Sequence, residues 1–125
     1  MKIREDYTCP LEIVHDILKG KWKSIIIFQL QYTYMRLSEL ERRINSINQK
    51  MLLEQLKELR AFGIVDKINS KGYPLHVEYY LTARGLKTLE AIKIMQQIGI
   101  EYMVEHDMTD ILDSKGICYN ISEKN

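Results

Sequence analysis

SELERRINSINQKMLLEQLKELRAF, residues 38–62, is the stretch that decides the fold. Ser38 is a helix-capping residue type, and Glu39 to Ile44 follow it as a short helical stretch. Asn45-Ser46-Ile47-Asn48 is a turn cluster, and Asn48 stands where its side chain can accept from the first amides of the next helix. That helix is expected over Gln49 to Phe62, with Leu52, Leu56 and Leu59 at i, i+4 and i+7 forming one apolar side. Gly63 follows the helix end, where a left-handed backbone carries no penalty for glycine. Two short helices joined by a tight turn, the second of them amphipathic, make a helix-turn-helix pattern.

Downstream the apolar period changes from helical to alternating. Ile64 to Ile68 reads as a strand and Asn69 to Pro74 as a turn. Leu75, Val77, Tyr79 and Leu81 then alternate with His76, Glu78 and Tyr80 as the second strand of a hairpin. Thr82 is placed to cap a long final helix, whose apolar positions Leu86, Leu89, Ile92, Met95, Ile98, Tyr102 and Met103 continue beyond what a small domain needs to cover. Upstream, Pro10 opens a helix carrying Leu11, Val14 and Leu18, and Gly20 stops it. Trp22 to Gln31 is apolar nearly all round and is expected as the central buried helix. Residues 108–125 carry little pattern. The expected fold class is α+β, mostly helical, a helix-turn-helix followed by a two-stranded β-hairpin, which is the winged-helix arrangement. There the second helix fits a major groove about 12 Å wide, while the hairpin tip reaches phosphates or the minor groove beside it.

Composition agrees with one compact core, because 46% of the 125 residues are hydrophobic and 28% charged. Eighteen Lys and Arg against seventeen Asp and Glu leave a net charge of +1, which excludes a polycation or a polybasic membrane binder. Residues 36–84 nevertheless hold nine basic and six acidic side chains, so the middle of the chain is where a polyanion site is to be sought. Two cysteines, Cys9 and Cys118, make neither a disulfide framework nor a paired zinc site. The three histidines are scattered, so no metal and no cofactor is expected. No apolar run approaches the roughly 20 residues of a membrane span, and the start MKIREDYTCP is too polar for a secretory signal, so a cytoplasmic location with no membrane partner is expected. Neither a glycine-rich phosphate loop nor a nucleophile motif is present, and an enzyme is not expected.

Cys9-Pro10, Gly20-Lys21-Trp22, Arg36-Leu37-Ser38-Glu39-Leu40, Leu56 with Leu59, Gly63-Ile64-Val65, Val77-Glu78-Tyr79 with Leu81-Thr82, and Gly85 follow in order. In this ordered set the chain resembles the HxlR-type bacterial regulators, winged-helix transcription factors related to the MarR group. The resemblance covers about residues 7–103 and implies a winged-helix domain that includes N-terminal and C-terminal dimerisation helices, with residues 104–125 as an extension. It implies a homodimeric regulator of double-stranded DNA, with residues 48–60 as the recognition helix and 67–74 as the wing. It also implies that the cysteine before the first helix, Cys9, can sense an electrophile or oxidant. The chain departs from the family at Leu75 and His76, where the wing usually has a proline and an arginine, and near Ile98, where a tryptophan is frequent.

Within this frame Asn48, Gln49 and Lys50 are the expected base contacts, since carboxamides pair with adenine and lysine reaches guanine, while Leu53 is set to touch a thymine methyl. Arg36, Lys57, Lys67 and Lys71 are the expected phosphate contacts. The plainer meaning of these residues is a helix cap and solvated charges. Arg42 and Arg43 are equally well explained by pairing with Glu39, and Glu54 and Glu58 repel phosphate unless they turn away. Cys9 stands just before a helix start with Lys2 and Arg4 nearby, a setting that favours thiolate, and Cys118 is a candidate resolving thiol. The expected function is therefore a repressor acting as a homodimer on a pseudo-palindromic operator, released by modification of Cys9. The alternatives are a ligand-gated regulator with a pocket at the final helix, and a winged helix used for protein–protein contact.

Overall fold

Pro10 occupies the first turn of α1 (Pro10–Leu18), where its missing amide hydrogen is not needed. The computed structural model describes residues 4–69 and 76–119. After α1 come α2 (Lys23–Gln29), β1 (Met35–Arg36), α3 (Leu37–Arg43), α4 (Gln49–Ala61), β2 (Val65–Asn69), β3 (Val77–Leu81), α5 (Ala83–Glu105) and α6 (Thr109–Ser114). Residues 1–89 form one compact unit and 90–125 a second.

In the first unit α2 is shorter than its apolar run suggests. Ile26, Ile27 and Leu30 are buried, whereas Ile25 is exposed and Trp22 and Phe28 are half-buried. The core closes with Leu40 of α3, with Leu52, Leu56 and Leu59 of α4, and with Ile64, Val65, Tyr79 and Leu81 of the sheet. Leu40, Leu52, Leu56 and Leu59 are fully buried, and each contributes on the order of 1.5–3 kcal/mol. The sheet is antiparallel in the order β1-β3-β2, with Val65 opposite Leu81, Lys67 opposite Tyr79 and Met35 also opposite Tyr79. The hairpin expected from sequence is thus present, and β1 adds a third, two-residue strand to it. Of the turn expected at 69–74, Asn69 is instead the last residue of β2, kept in the strand by its pairing with Val77, and residues 70–74, Lys71 among them, lie outside the described residues.

Ser38 is not the cap of α3. The cap position is Arg36, held extended by its pairing with Glu78 of β3, and the Glu39 carboxylate reaches back to accept from the Arg36 amide at 3.3 Å. Asn48 does cap α4, accepting from the Met51 amide at 2.8 Å. The other end of α4 closes as a Schellman motif, with Ile64 donating to Leu59 and Gly63 to Arg60. Gly63 has φ +74°, the left-handed backbone this motif requires.

Thr82 caps α5, its hydroxyl oxygen accepting from the Gly85 amide at 3.1 Å. The same hydroxyl donates to the Gly63 carbonyl at 2.6 Å, and Arg84 donates to the Phe62 carbonyl at 2.7 Å. At Gly85 a Cβ would stand 2.1 Å from the Ile64 carbonyl oxygen, so only glycine fits. In the second unit, Ile92 and Leu112 are buried. α6 ends as α4 does, with Gly116 at φ +65° and Ile117 donating to Leu112, so part of the weakly patterned tail is ordered helix.

Candidate nucleic-acid interface

α4 separates its residues cleanly. Leu52, Leu56 and Leu59 are buried, and Gln49, Lys50, Leu53, Glu54 and Lys57 are exposed. The helical period brings Gln49 and Lys50, then Leu53 and Glu54, then Lys57 onto successive turns of one outward side. Asn48 is exposed at the head of this side, and the cap uses one lone pair of its carbonyl oxygen while its NH2 group faces no such demand. Amide, ammonium and methyl groups on a capped helix can present the donors, acceptors and apolar contact that base edges offer.

The two acidic residues of α4 behave differently. Glu54 is exposed between Lys50 and Lys57. Glu58 turns inward to an ion pair with Lys23 of α2, which holds its carboxyl below the ordinary glutamate range. Sequence reasoning missed Lys23, which is 4% exposed despite its charge. The available signal was its place at the edge of the apolar run Ile25–Phe28, where a solvated lysine has little room.

Arg36, Arg42, Arg43, Lys57 and Lys67 are all exposed. Arg36 lies at the edge of the sheet with its guanidinium 3.3 Å from His76 Nε2, and the same ring nitrogen is 3.4 Å from the Glu78 carboxylate. Glu39, a candidate partner of Arg42 and Arg43, uses its carboxylate on the Arg36 amide. Arg60, at the end of α4, reaches Asp66 of β2 at 3.5 Å.

Cys9 is the N-cap residue of α1. Its thiol makes no capping bond, its carbonyl accepts from the Glu12 amide at 3.0 Å, and it is exposed and unbridged. The neighbourhood differs from a simple basic setting. Arg4 is committed to carboxylates, donating to Asp16 at 3.1 Å and to Glu12 at 3.4 Å, so it is no unpaired positive charge for the thiol. Tyr7 donates to Asp16 at 2.6 Å and the Thr8 hydroxyl donates to Glu12, and these bonds lower the carboxyl pKa values of Asp16 and Glu12. Cys118, in the second unit, is also exposed and unbridged. Among the described residues no group of three or more His, Cys, Asp or Glu side chains is placed to hold a metal ion, and no helix is long and apolar enough to cross a membrane.

A capped helix with a polar outward side, packed on a preceding short helix and followed by an antiparallel hairpin, defines a DNA-binding winged helix-turn-helix protein. The HxlR-like helix-turn-helix family matches residues 17–107, and the chain belongs to it. It is 33% identical over 98 residues to an uncharacterized HTH-type transcriptional regulator of Methanothermobacter thermautotrophicus, covering 78% of this chain and 75% of that one. Among solved structures it is similar to a protein of Porphyromonas gingivalis W83 described as a MarR-family transcriptional regulator, with 37% identity, a TM-score of 0.72, and coverage of 80% and 98% of the two chains. It is also similar to the redox regulator HypR in its oxidized form, with 37% identity, a TM-score of 0.69, and coverage of 73% and 94%. The protein is a transcriptional regulator of the helix-turn-helix type.

Proposed function

We propose that this regulator is a repressor that binds a pseudo-palindromic operator as a homodimer and is released when Cys9 is modified. The observation that carries the reading is the outward side of α4, where Gln49, Lys50 and Leu53 are exposed above three buried leucines and behind the Asn48 cap. Asn48, Gln49, Lys50 and Leu53 select bases. Arg36, Lys57, Lys67 and Lys71 meet phosphates and supply most of the affinity. Two such helices related by a two-fold axis sit about 34 Å apart on one face of a duplex, which makes the operator symmetric. Residues 7–103 carry both DNA binding and dimerisation, with 104–125 as an extension.

The dimer reading is supported by apolar side chains that the chain leaves uncovered, among them Leu11 and Val14 of α1 and Ile94, Met95, Ile98 and Tyr102 of α5. The thiol reading is supported by the exposure of Cys9 at a helix start and by similarity to a redox regulator solved in its oxidized form. Oxidation joins Cys9 to a second thiol, with Cys118 of the other copy as the candidate. Two thiols lose two protons and two electrons to the oxidant.

Selection of bound duplexes from a random library, with and without diamide, tests the whole reading. The expected result is a symmetric motif recovered only in the absence of diamide, and recovered under both conditions with Cys9→Ala. An asymmetric or absent motif overturns the dimeric operator, and identical diamide responses of wild type and Cys9→Ala overturn the thiol switch.

A further inference from the structure

Among the described residues, Lys23 is the charged side chain that the core retains. Its ammonium donates to Gln55 Oε1 at 2.8 Å and pairs with the Glu58 carboxylate. Gln55 and Glu58 are three residues apart on α4, so both lie on one strip of the helix beside the buried leucines. Gln55 is anchored in turn, its amide nitrogen 3.4 Å from the Met51 sulfur.

This ion pair adds little net stability, because taking the Lys23 ammonium out of water offsets most of its attraction to Glu58, whose side chain is 30% exposed. Its contribution is directional. Leucine packing selects which side of a helix faces inward but tolerates some rotation, whereas hydrogen bonds weaken steeply as distance and angle depart from the optimum. One ammonium on α2 meets an acceptor at 55 and another at 58 only over a narrow range of rotation of α4 about its axis.

We infer that Lys23 is a positioning residue for DNA recognition, which through Gln55 and Glu58 sets the angle at which Gln49, Lys50 and Leu53 meet the bases and keeps the Glu58 carboxylate away from the phosphates. The inference rests on the proposed reading of α4 as the base-contacting helix and names what sets its selectivity. Lys23 is itself buried, so it releases no counterions from DNA. Its removal changes discrimination between sequences and leaves the salt dependence of binding as it was.

The test compares wild type, Lys23→Met/Glu58→Leu and Lys50→Ala. Each is measured for affinity to the library-selected duplex and to a random duplex of equal length over a range of salt, after its melting temperature is taken. The double variant replaces the ion pair by apolar groups of similar volume and is expected to melt near wild type. Its affinity for random duplex and its salt slope stay unchanged, and its selected-to-random affinity ratio falls about tenfold, about 1.4 kcal/mol. A folded double variant whose ratio stays within about twofold of wild type overturns the inference. Should that variant melt too early, Glu58→Gln takes its place: a lower ratio at constant salt slope supports the inference, and an unchanged ratio overturns it. Lys50→Ala separates the two levels. If it leaves the ratio intact, the base-reading role of α4 fails and the inference with it. If it lowers the ratio while the cluster variants do not, the inference alone fails.

Discussion

Helix α4 and the second half of α5 dispose of their apolar side chains in opposite ways. α4 hides Leu52, Leu56 and Leu59 within the chain and shows solvent its amide and lysine side. α5 beyond residue 90 buries Ile92 but leaves Ile94 and Ile98 each 59% exposed, with Met95 and Tyr102 close behind. A helix whose apolar side is satisfied offers water or a polar polymer the other side. A helix with its apolar side uncovered calls for another apolar surface. This contrast underlies the proposed division of the molecule into a surface for nucleic acid on α4 and a surface for a second copy of the chain on α5.

The sharpest way to break the contrast is inside α4. Leu56→Ala removes a fully buried side chain and is expected to cost roughly 2–5 kcal/mol in denaturant unfolding. Leu53→Ala, three residues earlier on the exposed side, is expected to change stability by less than about 0.5 kcal/mol. Equal losses would mean that the two sides are not distinct.

On α5 the corresponding change is Ile98→Asp. Sedimentation at a series of concentrations is expected to show dimer association weakened by roughly 2 kcal/mol, with helical circular dichroism retained. Unaltered association would remove this side from the dimer contact.

A smaller effect comes from pH. The Glu58 carboxyl is depressed below its ordinary value by Lys23, so its stabilisation is fully present above the ordinary glutamate range. That stabilisation is lost as pH falls through the depressed value. Wild type therefore loses stability at acid pH more steeply than Glu58→Gln, and parallel melting curves down the acid limb would contradict the pairing. Least of all, Lys57→Ala is expected to weaken selected and random duplexes alike and to reduce the salt slope by about one unit. A change in selectivity at that position would move Lys57 from phosphate to base.

The elements legible in sequence were those specified by neighbours in the chain. The leucine spacing, the Asn48 cap and Gly63 bound α4 because all three signals act within a few turns of one helix. What escaped reading depends on distant partners. β1 has two residues and exists through its pairing with β3, more than forty positions away. The same pairing moves the start of α3 from the expected Ser38 cap to Arg36. Lys23 looks like a solvated charge until Gln55 and Glu58 are placed above it, across 32 and 35 residues of chain. The outward side of α4 was thus readable from periodicity, and the device that sets its angle was not. At Cys9 the helix start was legible, but the commitment of Arg4 to Asp16 and Glu12 was not, since it depends on how the chain before α1 folds back.

Thr82, Arg84 and Gly85 fasten the first turn of α5 to the exit of α4 through the carbonyls of Phe62, Gly63 and Ile64, with no room at Gly85 for a single extra carbon. Such a joint behaves as a weld and not as a hinge. With α4 as the proposed base-contacting helix, a displacement of the first turn of α5 reaches the C-terminal end of α4 through these three carbonyls.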